Sequence, residues 1–299
     1  MKKFELTTDT KMFLGRKLFR IKALISFGNV KVGDMGGYIE KEENLSQSGN
    51  AWVSGNAWVY GDAWVSGNAK VSGDAEVSGN AWVYGNAWVS GDAEVSGNAW
   101  VYGDAEVSGD AEVSGNAWVY GDAEVSGNAW VSGNAKVSGN AWVSGNAKVS
   151  GDAEVYGDAE VSGNAWVYGD AEVSGDAEVS GNAWVYGDAE VSGNAWVSGN
   201  AKVSGNAWVS GNAKVSGDAE VSGNADYAAA SGFGSEYRTT TFFKLKNSDK
   251  IGVRCGCFYG TLKEFKEKVK ETHGESKKAK EYLMLADLME YRFSEEKKA

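Results

Sequence analysis

Proline is absent from this 299-residue chain, histidine occurs once and cysteine twice. Without proline nothing interrupts a continuous ladder of strand hydrogen bonds, because proline lacks the donor that such a ladder needs. One histidine, His273, cannot build a three-histidine zinc centre. Cys255 and Cys257 stand too close together to staple a long loop, so nothing argues for an oxidising compartment. No stretch is apolar enough to span a membrane, and the start Met1-Lys2-Lys3-Phe4-Glu5 lacks the hydrophobic run of a signal peptide. These absences lead to the expectation of a cytoplasmic protein with no membrane partner.

What the chain has instead is one six-residue phrase, Gly-(Asn/Asp)-Ala-x-Val-(Ser/Tyr), written twenty-nine times from Gly49 to Ser222 without insertion. Such a period reads as a solenoid. In an extended stretch Ala and Val share one face and the variable x points the other way, so Ala and Val go in and x goes out. Gly followed by Asn or Asp tolerates the left-handed backbone needed to turn a corner once per phrase. Three phrases then close one triangular coil. Twenty-nine phrases give between nine and ten coils, which at about 4.8 Å per strand predicts a rod roughly 45 Å long.

An aliphatic residue with a small residue two positions earlier, as in Ala51 and Val53 or Ala81 and Val83, resembles the left-handed parallel β-helix hexapeptide family. The left hand is implied by that resemblance and not by the spacing. The expected fold is mainly β: a left-handed triangular parallel β-helix of about ten coils, with an N-terminal β cap and a small C-terminal α+β (ββαα) module. The expected boundaries are a cap at 1–28, the β-helix at 29–227 (irregular over 29–48, regular over 49–222), a linker at 228–237 and the C-terminal module at 238–299.

Charge is uneven. The repeat holds 23 acidic residues against five lysines, whereas the flanks carry a mild basic excess. An acidic repeat disfavours direct nucleic-acid binding, because polyanions need Lys and Arg to displace their counterions. The plainer reading of this charge is solubility for a narrow repeat that carries thirteen Trp.

The x position follows a nearly binary code, with Trp and Lys after Asn and Glu after Asp. Taking every third phrase, one face runs Trp64, Trp82, Trp100, Trp118, Lys136, Glu154, Glu172, Glu190, Trp208. Tyr84, Tyr102 and Tyr120 belong to the same phrases as three of these Trp. Indoles one coil apart fall within stacking range, so this half-face is a candidate partner-binding or self-association strip; the plainer alternative is an aromatic cover that stiffens the ladder. A smaller set is Trp166 and Trp184 with Tyr168 and Tyr186. Acidic-surface candidates are Glu76, Glu94 and Glu112 in one face and Glu154, Glu172 and Glu190 in another.

Residues 91–155 recur unchanged as 157–221, an offset of eleven phrases. Eleven is not a multiple of three, so the copy falls on different faces of the triangle. A pocket that needed side chains from fixed faces would not survive this copying, whereas a repetitive surface would.

The flanks are individual. Residues 2–27 alternate enough for short strands with a turn at Leu14-Gly15-Arg16. After the repeat, Thr239–Lys246 and Ile251–Cys257 read as strands, and Thr261-Leu262-Lys263-Glu264 as a capping box opening a helix. A second helix near Ser276 offers Tyr282, Leu285, Leu288 and Met289 to a core. This module either covers the exposed last coil or serves docking and oligomerisation, and the two roles are compatible. Cys255, Cys257 and His273 could supply three zinc ligands or a thiol with its base, but a fourth ligand is not evident. The bland reading is reduced, buried cysteines and a loop histidine.

The run Val30-Lys31-Val32-Gly33-Asp34-Met35-Gly36-Gly37-Tyr38-Ile39-Glu40, leading through Asn44-Leu45-Ser46 to Gly49-Asn50-Ala51-Trp52-Val53, resembles the opening of a hexapeptide-repeat family common in bacteriophage and prophage genomes, labelled polymer-forming or transferase-like. This resemblance implies a phage or prophage origin and no established reaction. Hexapeptide acyltransferases resemble the same fold, but that family's catalysis rests on a repeat-region His, usually with a loop over the inter-subunit cleft. Neither is present here. Related carbonic anhydrases need three His, and β-helical ice binders need regular Thr rows.

The function expected from these residues is a non-enzymatic rigid scaffold that engages a protein partner or itself, with a homo-oligomer in view and no cofactor. One alternative is an acidic decoy that mimics nucleic acid and inhibits a host defence protein. Another is an acyltransferase-like enzyme.

Overall fold

In a computed structural model, which describes residues 1–234 and 236–294, the chain forms two compact units, Met1–Gly163 and Asn164–Ala299. The protein is mainly β: parallel solenoid coils run through both units, and an antiparallel sheet followed by two helices ends the second.

The phrase explains the coil. Val and Ala of each regular phrase are buried, while x points outward. Each phrase contributes a strand at x and Val, two residues long except at Trp166–Gly169 and Trp184–Gly187, which have four, and strands eighteen residues apart pair in parallel, as Trp82 and Val83 do with Trp100 and Val101. The x amide donates to the Ala carbonyl of the next coil (Trp82 N to Ala99 O, 2.9 Å), and the last residue of the phrase donates to the next Val carbonyl (Tyr84 N to Val101 O, 3.0 Å). Three sides result because every third phrase stacks.

The corner glycines serve two purposes. Gly97 has φ 68°, and a Cβ added there would lie 2.7 Å from the Gly115 carbonyl oxygen of the next coil. A side chain is therefore opposed both by local sterics and by the coil spacing. Beside it the corner amides form a ladder: Asn80 donates to Asn98, Asn98 to Asn116 and Asn116 to Asn134, each at 2.9 Å, and Asn134 donates to Asp152 at 2.7 Å. An Asn both donates and accepts, so it propagates the ladder; an Asp only accepts, so it can end one.

The first unit opens with a hairpin, β1 (Phe4–Phe13) and β2 (Arg16–Ala23), whose turn at Leu14 and Gly15 has positive φ at both residues. Strand β3 (Met35–Ile39) pairs antiparallel with β2 and parallel with Trp58 and Val59, so the cap is continuous with one side of the solenoid. A first coil has carbonyls with no preceding coil to satisfy them, and the cap supplies the donors. Lys3 Nζ bonds Ala51 O (2.8 Å), Tyr38 N bonds Ala57 O, Glu40 N bonds Val59 O, Asn44 Nδ2 bonds Ala63 O (2.8 Å) and Ser46 N bonds Val65 O. Lys3 is 1% exposed, and burial lowers its pKa to about 8.

The second unit holds the remaining coils and the C-terminal module: β4 (Tyr227–Phe233), β5 (Arg238–Lys244), β6 (Ile251–Cys255), β7 (Phe258–Thr261), α1 (Leu262–His273) and α2 (Lys277–Phe293). The antiparallel sheet runs β4-β5-β6-β7, so it has four strands rather than the two read from sequence. The stretch 228–237 is not a linker. Its described residues include β4, whose Ala228, Ala229 and Ala230 pair with Phe242, Thr241 and Thr240; pairing with a neighbour overrides the weak strand propensity of Ala, Ser and Gly. Ser235, in that stretch, and residues 295–299 of the expected module lie outside the described residues. Helix α1 opens with the capping box of Thr261 and Glu264, and α2 with Ser276 as its N-cap. Phe242, Val253, Phe265, Tyr282, Leu285 and Ala286 build the module core, whereas Leu288, assigned to it from sequence, is 56% exposed.

The module closes the last coil. Lys214 N donates to Thr241 Oγ1 (2.8 Å), Trp208 N to Asn224 Oδ1 (2.8 Å) and Lys246 N to Asp218 O (2.9 Å). Strand groups that would otherwise invite another chain are thus satisfied from within.

Candidate interaction surface

The aromatic candidates of the first unit come together as the eighteen-residue period requires. Trp64, Trp82, Trp100 and Trp118 occupy successive coils of one side, paired in register with each other and then with Lys136 and Glu154. Trp82 stacks on Trp100 (centroids 5.2 Å, 3° between planes) and Trp100 on Trp118 (5.3 Å, 5°), while Trp64 meets Trp82 edge-on at 5.4 Å. Since Tyr lies two residues beyond Trp on the same strand face, Tyr84, Tyr102 and Tyr120 form a second column beside the first, stacked at 4.9 and 5.0 Å. The side therefore carries two aromatic columns.

Tyr in place of Ser changes what the indoles do. Elsewhere in this unit Trp88, Trp130 and Trp142 donate from Nε1 to Ser72, Ser114 and Ser126, the last residue of the phrase one coil earlier. For Trp100 that position is Tyr84, which offers a ring edge at 6.4 Å instead. Among the described residues the indole N–H groups of Trp100 and Trp118, whose phrases one coil earlier end in Tyr84 and Tyr102, have no protein acceptor, and neither has that of Trp82, although Ser66 stands at the corresponding position there. Their ring faces cover one another, so the strip presents ring edges and N–H donors to its surroundings and not the open platforms on which bases stack.

The acidic candidates split. Glu76, Glu94 and Glu112 are in register on a neighbouring side. The Glu94 carboxyl is raised in pKa by desolvation and by the carboxylates above and below it. Tyr60 donates its hydroxyl to Glu76, and burial together with this bond pushes the Tyr60 pKa up to about 12. Glu154 is neutralised by Lys136 at 2.7 Å. In the second unit Glu172 and Glu190 pair in register and lead to Trp208. There too Trp166 meets Trp184 edge-on at 5.5 Å, and Tyr168 stacks on Tyr186 at 5.0 Å.

Cys255, Cys257 and His273 line one cavity of about 540 Å³ in the C-terminal module, together with Arg238, Phe265 and Tyr282. Cys257 is exposed in the turn after β6, contrary to the expected burial, because the strand ends at Cys255. His273 is the last residue of α1 and not a loop residue; its ring lies 5.9 Å from that of Tyr282. Cys255 Sγ accepts from Thr240 Oγ1 (3.2 Å) and faces the Tyr282 hydroxyl (3.9 Å). Desolvation and this thiol neighbour push the Tyr282 pKa up to about 12. No group of three His, Cys, Asp or Glu among the described residues could hold a metal ion. Among the same residues no helix is long and apolar enough to cross a membrane.

The closing residues Lys3, Asn44 and Thr241 escaped the sequence reading. Asn44 was discernible as the polar residue just before Leu45, six residues after Ile39; Lys3 and Thr241 depend on how distant segments fold back.

Residues 75–91 match the family described as YdcK beta solenoid repeat. No curated protein sequence matches the chain.

Proposed function

We propose that this β-solenoid is a non-enzymatic scaffold that docks a protein partner along the aromatic side of its first unit. The observation that carries the reading is the pair of in-register columns, Trp64, Trp82, Trp100 and Trp118 beside Tyr84, Tyr102 and Tyr120. Trp and Tyr are the residues that most often dominate protein interfaces. Trp64, Trp82 and Trp118 remain 37–39% exposed, so a partner has apolar area left to cover. Both termini of the repeat are hydrogen-bonded by their own caps, which favours attachment at a side over addition of strands to an end. A phage or prophage setting and a cytoplasmic location belong to the same proposal; the first rests on the resemblance of the opening motif and the second on composition.

Replacing Trp64, Trp82, Trp100 and Trp118 together by Glu tests it. Recovery of the partner by affinity purification should be lost while the far-UV signal is kept, and unchanged recovery would refute the strip.

A second reading, a decoy that mimics nucleic acid, draws on the in-register column Glu76, Glu94 and Glu112. Ionic strength separates the two: a decoy complex should weaken steeply with added salt, whereas aromatic docking should change little.

A further inference from the structure

The repeat contains five lysines, and four have an evident partner. Lys136 pairs with Glu154, while Lys148, Lys202 and Lys214 each lie over the indole one coil earlier, at 4.6–5.1 Å from its centroid. Lys70 has neither arrangement among the described residues, although it stands directly between Trp52 and Trp88 in its column. Phe27, held in a tight turn by reciprocal bonds with Val30, packs edge-on against Trp52 at 5.4 Å and leaves that indole 7% exposed. Lys70 itself is exposed and makes no ion pair among the described residues.

Around it is a groove of about 440 Å³ between the 28–30 turn and the first coils. Trp52 and Trp88 are its apolar walls and Lys70 its cation. Asn29 supplies a carboxamide and Ser54 a hydroxyl, while Asn50 and Asn68, also on the wall, are held in the corner ladder, Asn50 Nδ2 donating to Asn68 Oδ1 at 2.9 Å and Asn68 Nδ2 to Asn86 Oδ1 at 3.0 Å. Trp88 is 44% exposed, and its Nε1 bond to Ser72 (3.0 Å) fixes the ring. The volume suits a small ligand. An unpaired ammonium selects a carboxylate, the amide and hydroxyl select a body rich in hydroxyl groups, and the indole selects one with an apolar ring face. We propose that this groove binds an acidic sugar, a uronate-type ring whose carboxylate pairs with Lys70 and whose ring packs against Trp88. The site is separate from the aromatic side and does not depend on its role.

The test is a titration of the full-length protein with D-glucuronate, followed by the indole N–H resonance of Trp88. A saturable shift is expected, with affinity at least tenfold weaker in Lys70→Met, retained in Lys70→Arg and unchanged in Lys148→Met, and with D-glucose at least tenfold weaker than glucuronate. Absence of a saturable shift, equal affinity in Lys70→Met, an equal response to glucose, or tighter binding of benzoate than of glucuronate would each overturn the assignment.

Discussion

Substitution of Gly97 by Ala separates the two demands made on a corner glycine. Gly97 has φ 68°, and the new methyl would lie 2.7 Å from Gly115 O, which accepts from Asn98 N in the ladder, and 2.9 Å from Gly115 N, both backbone atoms. Gly211 has nearly the same φ, 64°, but nothing within 4 Å of an added Cβ. Placing Ala at positive φ costs about 1–2 kcal/mol. Overpacking against atoms that cannot turn aside adds about 1–3 kcal/mol. Gly211→Ala should therefore lose about 1 kcal/mol and Gly97→Ala about 3 kcal/mol, with each loss concentrated in neighbouring coils as in other solenoids. Amide hydrogen exchange reads this locally. Exchange at Trp100 and Trp118 should speed up roughly 150-fold in Gly97→Ala, against about fivefold for amides around position 211 in the control. Equal effects would mean that glycine is required only for its dihedral angle and not for the spacing of the coils.

The caps and the corner ladder make four further outcomes testable. Thr241→Val removes the acceptor of Lys214 N, so the last coil should lose about 1–3 kcal/mol of local stability, seen as faster exchange at Lys214 with interior coils unchanged. Lys3 titrates at about 8 in the fold and at 10.5 unfolded; between these values the unfolded chain binds the extra proton, so stability rises with pH through that window, by up to about 3 kcal/mol, and is lost again as pH falls towards 8. Urea midpoints of the wild type relative to Lys3→Met should show this rise, and a pH-independent difference would contradict the burial of the ammonium. Asn98→Asp keeps the bond from Asn80 but cannot donate to Asn116, and should cost about 1 kcal/mol; Asp104→Asn gains a donor towards Asp122 and should raise the urea midpoint slightly.

Much of this could be read from the sequence because the phrase repeats one local solution. Inward Ala and Val, outward Trp, Lys and Glu, and the stacking of Trp82 on Trp100 all follow from a period of six and closure after eighteen residues. What could not be read depends on contacts between distant segments. Strand β4 is built from Ala, Ser and Gly and becomes a strand only because β5 lies beside it. Leu288 fits the helical period of a buried face, yet Ala286 and Met289 fill that place. The groove at Lys70 was hidden for a similar reason: its wall at Gly28, Asn29 and Val30 belongs to the turn in which Phe27 packs back against Trp52, a contact across 25 positions that no periodicity encodes.

Hydroxyl-radical footprinting of the purified complex shows whether a partner sits on the aromatic side of the first unit. Protection of Trp82, Trp100, Trp118 and Tyr102 is expected, with Trp130 and Trp142 as reactive as in the free protein. Protection confined to Trp130, Trp142 or the C-terminal module, with the two columns still fully reactive, would contradict docking there.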